Sequence, residues 1–120
     1  MLERLVVGIL ALQTIGIQQE CVYHSEDDGR HIRVVVSGLA PESLSPQWIT
    51  LIEVGTGNMV SLGDIERNRS RFEFIVDGHV KSRIIMLMEG EDYSVELRRG
   101  GDLESGDIIA TLPFTTKTCD

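Results

Sequence analysis

The stretch HIRVVVSGL at residues 31–39 decides the fold class, because its hydrophobic residues follow the two-residue period of a β-strand. Ile32, Val34 and Val36 fall on one face of this stretch, and Arg33 falls on the other. Successive side chains of a strand point to opposite faces of a sheet, so the pattern predicts one face buried in a core. We therefore expect residues 31–39 to form the first clear strand of an all-β domain.

Comparable stretches follow at intervals of about eight to twelve residues, separated by Gly, Pro, Asp or Asn, which is the spacing of sandwiches and barrels. No helical stretch with an apolar stripe lies between residues 21 and 120. The sequence predicts a small antiparallel β-sandwich (immunoglobulin-like) of about seven to eight strands. The predicted strands are residues 31–39, 48–54, 59–65, 71–76, 80–88, 93–98 and 107–114, with residues 21–24 as a candidate eighth.

Individual residues refine this prediction. The Asp-Gly pair at residues 77–78 tolerates the positive φ of a type I′ turn and predicts a hairpin, and residues 55–58 predict a second one. Gly63 inside a strand predicts a β-bulge, and Pro113 predicts an edge or a strand end. Trp48 begins a stretch that is apolar on both faces, so we expect a central strand with Trp48 anchoring the core.

The composition limits the classes of partner. The 120 residues contain 11 Lys and Arg against 19 Asp and Glu, which gives a formal net charge of −8. Such a field repels phosphate backbones, so no nucleic acid partner is expected. No uninterrupted apolar stretch reaches the roughly 18 residues of a transmembrane helix.

The N-terminal apolar segment leaves two interpretations open. Residues 5–12 read LVVGILAL, and Thr14 and Gly16 occupy the −3 and −1 positions of a candidate cleavage site. In the first interpretation, residues 1–20 are a signal peptide or an anchor, and an anchor would tether the chain to a membrane through residues 5–17. The chain is then extracytoplasmic or secreted. Alternatively, residues 1–20 hold an extra buried element of a cytoplasmic protein. In both interpretations residues 21–120 form a single β-sandwich domain.

Cys21 and Cys119 are the two cysteines of the chain. If the first and last strands lie close together, their Cα atoms fall within the roughly 4.4–6.8 Å that a disulfide needs. An even number of cysteines suits an exported protein. The alternative is two unrelated free thiols.

The densest set of metal-ligating residue types is Cys21, His24 and His31, with Asp27 and Asp28 between them. Thiolate, imidazole and carboxylate groups bind zinc or copper, although the spacing is not that of a standard site. The alternative is a turn that holds polar residues, and a disulfide at Cys21 would remove the thiolate. On balance we expect no cofactor and no catalytic residues.

The sequence favours a non-enzymatic binding module with a protein partner over its rival, a small metal-binding protein or hydrolase using Cys21, His24 and His31. The interaction candidates are Arg67, Arg69 and Arg71, which form a local positive patch or else carry solvated turn charges. Residues 84–88, IIMLM, are either a central strand or, if one side is uncovered, a docking surface.

Three groups of positions between residues 33 and 114 form a pattern of strands and turns that is similar to a known family. They are Val34, Gly38, Leu39, Ala40, Pro41 and Trp48, then Gly57, Val60, Ser61, Leu62 and Gly63, and finally Gly100, Gly101 and residues 105–110. With these positions, residues 33–114 resemble the extracytoplasmic β-sandwich of the anti-sigma-K factor family. The resemblance implies a β-sandwich fold and an exported setting. The family's regulatory function is not carried over, because the sequence shows no counterpart of the helical domain that precedes such sandwiches.

Overall fold

The computed structural model describes residues 15–23, 30–66, 71–80, 85–101 and 106–119. These residues form nine β-strands and no helix. The strands are β1 Gly16–Tyr23, β2 Arg30–Leu39, β3 Gln47–Glu53, β4 Met59–Ile65, β5 Arg71–Asp77, β6 His79–Val80, β7 Ile85–Met86, β8 Asp92–Arg99 and β9 Asp107–Thr115.

The strands form two sheets with the orders β1-β2-β5-β6-β7 and β4-β3-β8-β9. All neighbouring strands pair antiparallel, and the chain passes from one sheet to the other after β2, β4 and β7. The predicted small antiparallel β-sandwich of the immunoglobulin-like kind is therefore confirmed. The described residues contain more strands than the expected seven to eight because β6 and β7, of two residues each, are separate strands.

The core lies between the inner faces of the two sheets. Ile32, Val34 and Val36 of β2 are at most 2% exposed, as the alternation in that stretch predicts. Tyr93, Val95 and Leu97 of β8, together with Ile49 and Leu51 of β3, face them across the core. The other members of the cluster are Ile15, Ala40, Val60, Ile65, Phe72, Val76, Ile85, Leu87 and Cys119.

Trp48 is buried, but the expectation that it anchors this core is wrong. It is not part of the cluster that joins the sheets, because alternation along β3 places it on the opposite face from Ile49 and Leu51. A Cβ atom added to Gly106 would lie only 2.6 Å from the Trp48 ring. The indole therefore packs directly against the backbone of Gly106, outside the space between the sheets.

The predicted hairpin at residues 55–58 joins β3 and β4, and Glu53 N donates to Asn58 O across it at 2.8 Å. The predicted bulge also forms, since Ile49 pairs with Gly63 and Thr50 pairs with Ser61, which leaves the residue between those two on β4 unpaired. Pro113 lies on β9, an edge strand, as its missing N–H group requires.

The hairpin predicted at residues 77–78 forms, but it is shorter than expected. Gly78 has the positive φ of 77° that the turn requires. However, β5 and β6 share only the single pair Asp77–His79. Residues 80–88 are not one strand, since β6 pairs with β7 and the chain reverses direction between them.

Strand β1 begins at Gly16 and pairs with β2 from Gly16–Ser37 to Tyr23–Arg30. Ile15, just before it, is 2% exposed and belongs to the core cluster. The sandwich therefore starts before Cys21, the predicted domain boundary. Cleavage after Gly16 would remove Ile15 from the core.

Tyr93 at the start of β8 fixes the connection that precedes it. Its hydroxyl accepts a hydrogen bond from Met88 N at 2.9 Å and donates one to Met86 O at 3.0 Å. Burial raises the pKa of Tyr93, and the carboxylates of Glu53 and Glu91 act in the same direction against the hydrogen bond from Met88. The phenol therefore keeps its proton at neutral pH, and it links the two sheets in the manner of the tyrosine corner of immunoglobulin-like domains.

Replacing Tyr93 by phenylalanine is expected to lower the free energy of unfolding by about 1–2 kcal/mol, because two main-chain groups lose their partner while the ring stays in the core. Urea denaturation measures the change. Thr115→Val is the matched control, since it removes an exposed hydrogen bond to Asp92 and should cost no more than about 0.5 kcal/mol. Equal stability of the two variants would contradict the prediction.

Candidate functional site

A disulfide joins Cys21 of β1 to Cys119 in the segment after β9, with 5.8 Å between the Cα atoms. The predicted pairing is therefore confirmed, and the described residues contain no free cysteine. The bond connects the outer strand of one sheet to the chain that leaves the outer strand of the other.

Gln19 strengthens the same junction. Its amide nitrogen donates to Lys117 O at 2.9 Å, and its amide oxygen accepts from Lys117 N at 2.8 Å. The side chain thus occupies the position that a neighbouring strand would take. Beside it lies a pocket of about 380 Å³ lined by Ile17, Gln19, Cys21, Phe114, Thr115, Lys117 and Thr118.

The proposed metal cluster of Cys21, His24 and His31 is not assembled as the sequence suggested. Cys21 is bound to Cys119 and offers no thiolate. His24 lies outside the described residues, as do Asp27 and Asp28. Within the described part of the chain, no group of three or more His, Cys, Asp and Glu side chains is placed to hold a metal ion.

His31 instead belongs to an ionic cluster on the outer face of the five-stranded sheet. Its Nε2 atom contacts Asp77 Oδ1, and Arg33 Nη2 lies 3.4 Å from Asp77 Oδ2. Desolvation raises the pKa of Asp77, but the hydrogen bonds and charges of His31 and Arg33 outweigh it and hold the pKa of this carboxyl below its usual 3.8. Asp77 is therefore an anion at neutral pH and orients the imidazole of His31.

A pocket of about 340 Å³ opens beside this cluster, and we call it the His31 pocket. Met86 and Met88 line it and are 42% and 52% exposed, whereas Leu87 between them points into the core. Within the stretch of residues 84–88, Ile85 and Leu87 are therefore core residues and Met86 and Met88 are exposed, while Ile84 lies outside the described residues. Its lining residues are His31, Ile32, Gly78, Met86, Leu87, Met88 and Glu89.

The opposite end of the sandwich holds the described member of the predicted arginine patch. Arg71 begins β5, is exposed and pairs with Leu39 of β2, whereas Arg67 and Arg69 lie outside the described residues. Leu39 is 42% exposed and leads into the loop of residues 40–46, where Leu44 is 90% exposed. We call Leu39, Arg71 and this loop the loop end.

The loop of residues 40–46 is held at both of its ends. Gln47 Nε2 donates to Pro41 O at 2.8 Å, and Gly100 N donates to Pro46 O at 2.8 Å. The two prolines restrict the backbone further. The exposed side chain of Leu44 is therefore presented by a loop whose ends are fixed.

A buried ion pair on the outer face of the four-stranded sheet was not anticipated from the sequence. Arg98 donates from Nε and Nη2 to Glu96 Oε1 at 3.0 and 2.5 Å, with 7% and 12% of the two side chains exposed. Thr50 pairs with Glu96, is fully buried, and its hydroxyl has no hydrogen-bond partner. The alternation in β8 gave the only signal, since it places Glu96 and Arg98 on one face.

Comparisons with known proteins give no neighbour for this arrangement: no family model, no curated protein and no solved structure matches the chain. No helix within the described ranges has the length and apolar character needed to cross a membrane.

Proposed function

We propose that the chain is a non-enzymatic binding module of an oxidising, extracytoplasmic compartment, and that its loop end contacts a protein partner. The observation that carries the proposal is Leu44, a large apolar side chain that is 90% exposed on a loop fixed at both ends. Ordering a flexible loop on binding costs free energy, so a loop already held in place binds with a smaller entropic loss.

The chemistry of the loop end indicates the kind of partner. Leu44 and Leu39 offer apolar contacts, and the exposed Arg71 beside Leu39 offers a positive charge on a chain of net charge −8. A protein with an apolar depression bordered by acidic residues would complement this surface. We assign such a protein as the partner.

The proposed compartment rests on the disulfide and on the N-terminal segment. Disulfides form and persist mainly in oxidising environments, which supports export for a chain whose two cysteines are paired. The apolar segment of residues 5–12, acting as an anchor that is not cleaved after Gly16, and the resemblance of residues 33–114 to an exported sandwich favour the same setting.

A photo-activated crosslinking residue at exposed Ser45 is expected to give a discrete adduct with one partner in the cells that make the chain. Adding Leu44→Glu should lower the adduct yield by at least about tenfold, as expected for an interface residue that contributes much of the binding free energy. Gel shift and mass spectrometry of the adduct measure the yield.

Thr111, exposed on β9, is the control position for the crosslinker and should give no such adduct. The proposal is wrong if Ser45 gives no adduct, if Thr111 gives the same one, or if Leu44→Glu leaves the yield unchanged.

A further inference from the structure

The loop of residues 40–46 presents one large apolar side chain on a narrow support. Leu44 is 90% exposed, and no other large hydrophobic side chain among the described residues is as exposed. Its neighbours in the chain, Ser43 and Ser45, are small. A single long side chain between two small ones can enter a deep pocket, and such pockets are concave and mostly apolar. The surface that complements Leu44 is therefore a cleft with one apolar pocket.

The backbone is attached to the sandwich on both sides of Leu44. Before it, Gln47 Nε2 donates a hydrogen bond to Pro41 O at 2.8 Å. After it, Gly100 N donates one to Pro46 O, also at 2.8 Å. Gln47 is the first residue of β3 and Gly100 directly follows β8, and these two strands pair with each other. Both attachment points therefore lie on the same sheet.

The peptide bond between Leu44 and Ser45 lies between these two attachment points. A third hydrogen bond spans it, since Ser45 N donates to the hydroxyl of Ser43 at 3.0 Å. The rings of Pro41 and Pro46 fix their own φ angles and so reduce the freedom of the loop further. The groups on both sides of this one bond are therefore held in place before any partner binds.

This arrangement fits the active site of a serine protease. Such an enzyme binds peptide backbone in a cleft, and its S1 pocket takes the side chain that precedes the cleaved bond. A hydrophobic S1 pocket, as in chymotrypsin, complements Leu44. We propose that the partner of the loop end is a serine protease with an apolar S1 pocket, and that the loop inhibits it by binding as a substrate does. This inference rests on the proposed contact between the loop end and a protein partner.

The attachment points explain why the loop inhibits the protease and is not consumed. The serine oxygen of the protease bonds to the carbonyl carbon of Leu44, the bond to the Ser45 nitrogen breaks, and that nitrogen takes the proton that the serine loses. The amine of an ordinary substrate then diffuses away. Here the hydrogen bond between Gly100 and Pro46 keeps the Ser45 amine beside the acyl group. Its attack on the acyl carbon restores the peptide bond and returns the proton to the serine, because a held group reacts at a high effective concentration.

The test measures the activity of chymotrypsin on a small peptide substrate in the presence of the full chain, with its disulfide intact. Trypsin is the matched control, because its S1 pocket holds an aspartate that selects cationic side chains. The chain should inhibit chymotrypsin in competition with the substrate and leave trypsin active. Mass spectrometry of the incubated chain should show a cut after Leu44 that stops at a constant mixture of intact and cleaved chain.

One substitution should transfer the inhibition from chymotrypsin to trypsin. Leu44→Arg places a cation where trypsin binds one, so it should weaken the inhibition of chymotrypsin by at least about 100-fold and create inhibition of trypsin. Leu39→Arg is the matched control, since Leu39 is an exposed leucine at the same end of the sandwich but outside the loop. This control should inhibit chymotrypsin as the unaltered chain does and should not inhibit trypsin.

The inference is overturned if chymotrypsin keeps its full activity, if it cuts the loop to completion, or if a folded Leu44→Arg chain leaves trypsin active. The first two results are read on the unaltered chain, so they hold even where a variant folds poorly. A crosslinked adduct at Ser45 that Leu44→Glu abolishes, without inhibition of chymotrypsin, would keep the proposed partner contact and remove the protease. Absence of both the adduct and the inhibition would remove both proposals.

Discussion

Replacing both Cys21 and Cys119 by alanine is expected to lower the free energy of unfolding by about 4–5 kcal/mol. The two cysteines are separated by 98 positions, and a cross-link closing so long a loop removes much of the conformational entropy of the unfolded chain. A domain of ordinary stability, about 5–15 kcal/mol, would lose a large part of it. Urea denaturation of the variant and the unaltered chain measures the difference.

The control for this prediction is the unaltered chain unfolded in the presence of a thiol reductant. It loses the same cross-link without any substitution, so its unfolding curve should follow that of the double variant. The dependence of the unfolding free energy on urea should also become steeper, since an unfolded chain without the cross-link exposes more surface. A difference below about 1 kcal/mol in both experiments would show that the bond contributes little.

The second large effect is expected at the buried ion pair on β8. Arg98→Met should lower the free energy of unfolding by about 3 kcal/mol, because it leaves the carboxylate of Glu96 in a site where only 12% of its side chain is exposed. The double variant Glu96→Leu/Arg98→Met should recover most of this loss, since it removes both charges and their cost of desolvation. Thermal or urea unfolding of the three chains gives the comparison.

Arg71→Met is the matched control, because the same substitution at an exposed arginine should change stability by no more than about 0.5 kcal/mol. If Arg98→Met behaves like Arg71→Met, the pair is not a determinant of stability. If the double variant is as unstable as the single one, side-chain packing rather than the unpaired charge explains the loss.

Most of the strands could be predicted from the sequence because they depend on local patterns. Alternation placed Val34 and Val95 in the core, and the chemistry of proline and glycine placed Pro113 at an edge and a bulge beside Gly63. The positions of residues 80–88 could not be predicted in the same way. The stretch contributes to two short strands, β6 and β7, which pair with each other, whereas its apolar pattern predicts one continuous strand.

The candidate sites were less predictable because they combine residues from distant strands. Cys21 and His31 are close in the sequence and suggested one cluster. In the structure, Cys21 forms a disulfide with Cys119, and His31 contacts Asp77. For Met86 and Met88 the sequence left open whether they face the core or lie on an uncovered side, and both side chains are exposed in the structure. The position of Trp48 was also not predictable. Alternation assigns the side chains of β3 to two faces, but it does not show which face meets the other sheet.

The order in which the chain is synthesised gives the disulfide a further consequence. At about 5–20 residues per second, Cys119 leaves the ribosome about 5–20 seconds after Cys21, the residue 98 positions earlier. During that interval Cys21 is an unpaired thiol, while the strands already synthesised can begin to pair. The bond can therefore close only after strands of both sheets have been synthesised, and a chain interrupted before Cys119 keeps a free thiol that can enter thiol–disulfide exchange.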